Sequence, residues 1–197
     1  MKTDILITGV GGQGILLTST VLGRAAIKAG LKVRSTETHG MAQRGGGVVS
    51  HLRIGDVFSP MIPKGEADFL IAFEPLEAIR NADYLREGCH AVVNTEPIIP
   101  AGSKKKIGPY PPVEEIIIKL FEFSQVIPID ATKLAREAGS PLTLNIVLLG
   151  AVAALEDFPL GEEALLDTIK SSVPPKSLDT NMKAFELGMR EVKEYYI

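Results

Sequence analysis

The chain has 197 residues, 45% of them hydrophobic and 23% charged, with a formal net charge of −3. That size and apolar content suffice for a full hydrophobic core, and the lack of a basic excess argues against a nucleic-acid-binding surface. A single cysteine, Cys89, excludes an internal disulfide, a Cys-x-x-Cys redox pair and an iron–sulfur cluster held by this chain alone.

Met1-Lys2-Thr3-Asp4 leads directly into an apolar run, Ile5 to Thr8, which predicts the first strand. The run breaks into Gly9, Gly11, Gly12 and Gly14, and the chain resumes as a helix from Ile15 to Ala29 that Gly30 ends. Gly9, Gly11 and Gly14 keep the G-x-G-x-x-G spacing, which turns a strand sharply and lets backbone N–H groups approach an anion at a helix N-terminus. Tight strand-to-helix turns use glycine for steric reasons alone, but the strand–loop–helix context favours a ligand-facing loop. Leu31 to Glu37 alternates as a second strand, completing a β-α-β unit, and places Glu37 where a dinucleotide enzyme holds a ribose.

The next segment, Thr38 to Gly47, sets His39, Gln43 and Arg44 among four glycines. Its residue types suit phosphate, carboxylate or amide groups, and it lies where ligands bind in open α/β sheets, outside the carboxyl ends of the strands. Val48 to Ile54 is a further strand, ended by Gly55-Asp56, and Ala67 to Phe73 a strongly apolar one that stops at Glu74-Pro75. Glu74 suits two roles equally, a cap on the short helix Leu76 to Asn81 or a site residue. Cys89 to Asn94 is another strand, with Cys89 read as core. From Glu96 to Pro112, five prolines, two glycines and Lys104-Lys105-Lys106 mark an exposed excursion, the lysines read as a solvated turn. Val113 to Phe123 follows as a helix and Gln125 to Ile129 as the last strand.

The C-terminal third is helical. Leu142 to Leu155, opened by Ser140-Pro141, is apolar on nearly every face and should be buried, with Asn145 read as a satisfied core amide. It falls short of the ~20 residues a membrane span needs, and with no signal-peptide or lipid-anchor pattern the expected location is cytoplasmic. Glu162 to Ser171 is a short helix. The last helix places Leu178, Met182, Phe185, Met189, Val192 and Tyr196 on one apolar seam. The expected fold is α/β: a Rossmann-like, mostly parallel sheet with helices on both faces in residues 1–139 and a helical part, 140–197, packed on it as one domain.

Taken together, Gly9-x-Gly11-Gly12-Gln13-Gly14, Glu37-Thr38-His39-Gly40-Met41-Ala42-Gln43-Arg44-Gly45-Gly46, Ser59-Pro60 and Phe73-Glu74-Pro75-Leu76-Glu77 resemble the gamma-type domain of 2-oxoacid:ferredoxin oxidoreductases across essentially the whole chain. The Thr-His-Gly-Met-Ala-Gln-Arg-Gly-Gly form is similar to the indolepyruvate branch of that family, in its small (beta) subunit. The resemblance implies oxidative decarboxylation of an aryl 2-oxoacid to an acyl-CoA, with electrons passed to ferredoxin. It also implies that thiamine diphosphate, magnesium and the iron–sulfur clusters sit on a large (alpha) subunit. This chain would then be inactive alone, hold no metal and bring its loops to the CoA or substrate side of the shared site, with Gly9, Gly11, Gly12, Gln13, Gly14 and Glu37 as the cofactor-binding candidates. His39, Gln43 and Arg44 would approach the shared site, and the Thr38 to Gly47 loop and the Lys104 to Pro112 excursion would meet the partner. Two readings of other classes stay open: a stand-alone nicotinamide or flavin dehydrogenase using the same loop with Glu37 on ribose, and a non-catalytic nucleotide-sensing module.

Overall fold

Side chains alternate across a strand with period two, and the two hydrophobic clusters among the described residues divide accordingly. The computed structural model describes residues 2–39, 46–98 and 110–196, with His39 described in its backbone alone. The strands are β1 (Lys2–Val10), β2 (Val33–His39), β3 (Gly47–Gly55), β4 (Ala67–Ala72), β5 (Leu85–Asn94) and β6 (Gln125–Ile129). The helices are α1 (Ile15–Lys28), α2 (Pro75–Arg80), α3 (Val113–Leu120), α4 (Ala131–Ala138), α5 (Leu144–Ala153), α6 (Glu162–Ser172) and α7 (Leu178–Tyr195). Ile5, Ile7, Leu52, Ile71, Val92 and Ile127 face the larger cluster, with α1 and α4 to α7. Leu6, Leu70, Ala91, Val93 and Val126 face the smaller one, with α2 and α3. Helices therefore cover both faces of a mostly parallel sheet, as expected.

The strand order is β2-β3-β1-β4-β5-β6. β1, β4, β5 and β6 pair in parallel, while β3 runs antiparallel to both β1 and β2, so five strands share one direction. This corrects the simple β-α-β reading of the first unit. α1 carries the chain past the neighbouring position, and β3 returns into the gap, pairing Thr8 with Val49 on one side and Glu37 with Ser50 on the other. At the far end of the same strands, Asp4 and Arg53 form a buried bidentate pair, Nε to Oδ1 at 2.7 Å and Nη2 to Oδ2 at 3.0 Å. Nη1 donates to the carbonyls of Ser59 and Met61. With Nε, Nη1 and Nη2 all engaged, a charge that would otherwise be costly to bury joins β1, β3 and the following loop.

Several boundaries differ from expectation. β1 is longer at both ends, and β5 starts at Leu85, before Cys89. Helix α4 was not foreseen; Asp130 caps its start by accepting from the Lys133 N–H at 2.9 Å, and Gly139 ends it in the left-handed region. Leu142 is 87% exposed, because Pro141–Thr143 form a 3-10 turn ahead of α5 rather than its first turn. α5 is buried on all sides from Asn145 to Val152. It crosses α7 so closely that a Cβ on Gly150 would overlap the Phe185 carbonyl, and one on Gly188 the Val147 carbonyl. The α7 seam packs within its own chain, mainly against α5, through Phe185, Met189 and Val192, joined by Ala184 and Leu187, while Tyr196 lies beyond the helix and is exposed.

Candidate functional site

The glycine loop sits at the carboxyl end of β1, where β4 and β5 also end. Gly9 belongs to β1 itself, opposite Val48, and is a packing residue: a Cβ there would lie 2.7 Å from Phe73 Cβ and 3.0 Å from Ile15 Cδ1. The Gly11 N–H donates to the Gly46 carbonyl at 3.0 Å, which ties the glycine loop to the end of the Thr38 to Gly47 segment. Gln13 folds back into the loop. Its Oε1 accepts from the Val10 N–H at 2.6 Å, its Nε2 donates to the Phe73 carbonyl at 3.0 Å, and its own N–H donates to the Val10 carbonyl. In this structure the Gly11 N–H, the Gln13 side chain and the space beside Gly9 are thus taken up by protein groups. Among the described residues, the N–H groups of Gly12 and Gly14 meet no acceptor. Both residues have positive φ, 103° and 91°, which glycine adopts without strain.

Gly14 is also the residue before α1, and no side chain caps that helix and no acidic residue stands in its first turn. The first-turn N–H groups have no intrahelical acceptors and carry the positive end of the helix dipole. They open on a cleft of about 420 Å³, lined by Gly12, Gln13, Gly14 and Leu17 on one side and by the Glu96 to Ile98 stretch, Thr132, Arg136, Pro141, Leu142, Leu144 and Asn145 on the other. That volume is in the range of small-molecule sites. Buried Asn94 holds the lining residue Thr132 in place: its Nδ2 donates to the Phe73 carbonyl at 3.0 Å and lies 3.3 Å from Thr132 Oγ1, and its Oδ1 accepts from the Thr132 N–H at 3.3 Å. Glu37 does not line this cleft. With β3 interposed, it stands two strand spacings from β1, about 10 Å, so the ribose position of a dinucleotide fold is not reproduced.

The profile of the pyruvate ferredoxin/flavodoxin oxidoreductase family matches residues 4–191. The chain belongs to this family. It is 47% identical over 194 residues to the indolepyruvate oxidoreductase subunit IorB of Pyrococcus horikoshii, covering 97% of this chain and 96% of that one. Among solved structures, the gamma subunit of a keto/oxoacid ferredoxin oxidoreductase from Geobacter sulfurreducens superposes with a TM-score of 0.73 at 25% identity, covering 98% and 99% of the two chains. The same fold forms 31% of a longer chain in a Magnetococcus marinus 2-oxoglutarate:ferredoxin oxidoreductase solved with 2-oxoglutarate, coenzyme A and succinyl-CoA, at a TM-score of 0.74 and 23% identity over 98% of this chain.

The family resemblance also rests on the Phe73 to Glu77 block, and here the structure resolves the two roles of Glu74. Its Oε2 caps α2, accepting from the Glu77 N–H at 2.9 Å, and its Oε1 accepts from the Tyr110 hydroxyl at 2.5 Å. Burial pushes this carboxyl above the ordinary range, against the Tyr110 hydroxyl and the N–H groups of Glu77 and Ile98. Glu74 is thus a buried staple that joins α2 to both ends of the proline-rich excursion. His39 ends β2 opposite Val48. Gln43 and Arg44, with the rest of 40–45, and the lysine triplet within 99–109 lie outside the described residues. No group of His, Cys, Asp and Glu among the described residues could hold a metal ion, and no described helix is long and apolar enough to cross a membrane. Sequence reasoning missed Thr132, Arg136, Leu142 and Asn145 as cleft residues; the caps Asp130 and Gly139 were the available signal for α4.

Proposed function

We propose that this chain is the accessory subunit of an indolepyruvate:ferredoxin oxidoreductase, active in the cytoplasm only when joined to a large (alpha) subunit. The observation that carries the reading is the near-full-length identity to an indolepyruvate oxidoreductase subunit. The net reaction converts an aryl 2-oxoacid anion and CoA thiol into acyl-CoA, carbon dioxide, one proton and two electrons, the electrons leaving on ferredoxin. Thiamine diphosphate with its magnesium, held by the large subunit, supplies the carbanion chemistry of decarboxylation there. The clusters that carry electrons away also belong to that subunit, since one thiol cannot hold them.

In this reading the whole of 1–197 acts as one gamma-type unit that presents two ligand-facing parts. The N-terminus of α1, with the N–H groups of Gly12 and Gly14, holds the diphosphate of CoA. The Thr38 to Gly47 segment, tethered through Gly46 beside the glycine loop, brings His39, Gln43 and Arg44 to the shared site. The dehydrogenase reading loses its support with Glu37 displaced by β3. The test is co-expression with the large subunit. The chain is expected to elute with it, with thiamine diphosphate and iron in the complex and neither in the chain alone. A large subunit that is fully active without this chain would overturn the proposal.

A further inference from the structure

Helix α5 is apolar throughout its buried stretch except at Asn145. That side chain is 3% exposed, yet among the described residues nothing hydrogen-bonds to its amide, whereas buried amides are normally satisfied. It lies directly beneath the start of α1: a Cβ added to Gly14 would sit 3.4 Å from Asn145 Cβ and Cγ. The amide forms part of the cleft wall, so a ligand in the cleft can supply the partners it lacks within the protein. On the same wall, Arg136 stands in the last turn of α4, exposed, and among the described residues its guanidinium pairs with no carboxylate. An uncapped helix N-terminus, an unpartnered buried amide and an unpartnered guanidinium therefore border one cleft.

We infer that Asn145 and Arg136 are specificity-determining residues that read the nucleoside diphosphate portion of the thiol carrier, an inference that rests on the reading that this cleft receives CoA. The guanidinium offers a planar fork to phosphate oxygens, and the amide offers both a donor and an acceptor at the mouth of the helix. Leu17 and Leu142, 39% and 87% exposed, give the cleft apolar edges against which a base can lie. Glu96, the carboxylate of the lining, is exposed and suits hydroxyl or amino donors rather than phosphate. The ligand class is a nucleoside diphosphate with an apolar-faced base, and free ADP shares that chemistry with CoA.

The experiment measures steady-state kinetics of the assembled two-subunit enzyme, with ADP as a competitor against CoA. Arg136→Ala is expected to raise KM for CoA about tenfold and weaken ADP competition in parallel, while kcat at saturating CoA and KM for indolepyruvate stay within twofold. Arg136→Lys should recover part of the loss. Asn145→Asp, nearly isosteric but anionic, should raise KM for CoA at least as much, and thermal melts check that it folds; Arg136, on the surface, keeps the test decisive if it does not. Leu17→Glu sets a carboxylate into the cleft and probes the underlying reading. If Leu17→Glu raises KM for CoA and the Arg136 and Asn145 variants stay within twofold of the parent, the inference is overturned and the cleft remains the CoA site. If none of the variants changes it, CoA does not use the cleft and both readings fall.

Discussion

Replacing Gln13 by Leu separates a loop lock from a ligand-binding side chain. The native amide satisfies the buried Val10 N–H at 2.6 Å and shares the Phe73 carbonyl with Asn94 Nδ2. Leucine leaves the Val10 N–H without an acceptor, a loss of about 1–3 kcal/mol, while the Phe73 carbonyl keeps Asn94 and loses a bond worth about 0.5–1.5 kcal/mol at most. The expected destabilisation is about 2 kcal/mol. For a chain of this length each kcal/mol moves Tm by roughly 2–4 °C, so Tm should fall by roughly 4–8 °C with no ligand present. Thermal melts followed by circular dichroism on the purified chain measure it. A shift below about 1 °C would refute the reasoning, because the side chain would then be free to serve a ligand instead.

Three further outcomes follow from buried groups. Gly150→Ala forces a methyl onto the Phe185 carbonyl and should cost about 3 kcal/mol or more in urea denaturation, whereas Gly161→Ala, where a Cβ meets open space, should be near neutral; equal midpoints would contradict the α5–α7 contact. Burial raises the Glu74 carboxyl above its ordinary value of 4.5, so the native state keeps that proton to higher pH than the unfolded chain. Its contribution to stability is then greatest below about pH 4.5 and declines as pH rises through the native pKa. The urea midpoint of the parent relative to Glu74→Gln should accordingly fall across the window just above pH 4.5, and a pH-independent difference would count against the burial argument. Cys89 is fully buried with its thiol pushed up to about 12 by desolvation, so a thiol reagent at pH 8 should label the native chain negligibly and the urea-unfolded chain stoichiometrically.

The strands, the glycine loop and the C-terminal seam were legible because each is carried by a local pattern: an apolar run for Ile5 to Thr8, glycine spacing for Gly9 to Gly14, and steps of four and three for Phe185, Met189 and Val192. Strand order was not. Whether β2 lies beside β1 or one place further depends on where β3 returns after a connection that contains no periodic signal, and that choice decided the fate of Glu37. α4 escaped notice because eight residues with few large apolar side chains give a weak pattern, although its caps were present. Asn145 was read as a satisfied core amide because type and helical position are visible in sequence while the presence of a partner is a tertiary fact. Glu74 was left between two roles for the same reason: Tyr110, which completes its cluster, is 36 residues away. Gln13 was legible as a loop residue, but its inward direction follows from the Phe73 carbonyl on β4's exit.

The account stands most directly on one assay: reduction of ferredoxin or a viologen with indolepyruvate and CoA, run with this chain alone, the large subunit alone and the two mixed. It predicts no acceptor reduction by this chain alone and CoA-dependent reduction on mixing. Acceptor reduction by this chain without its partner would contradict it.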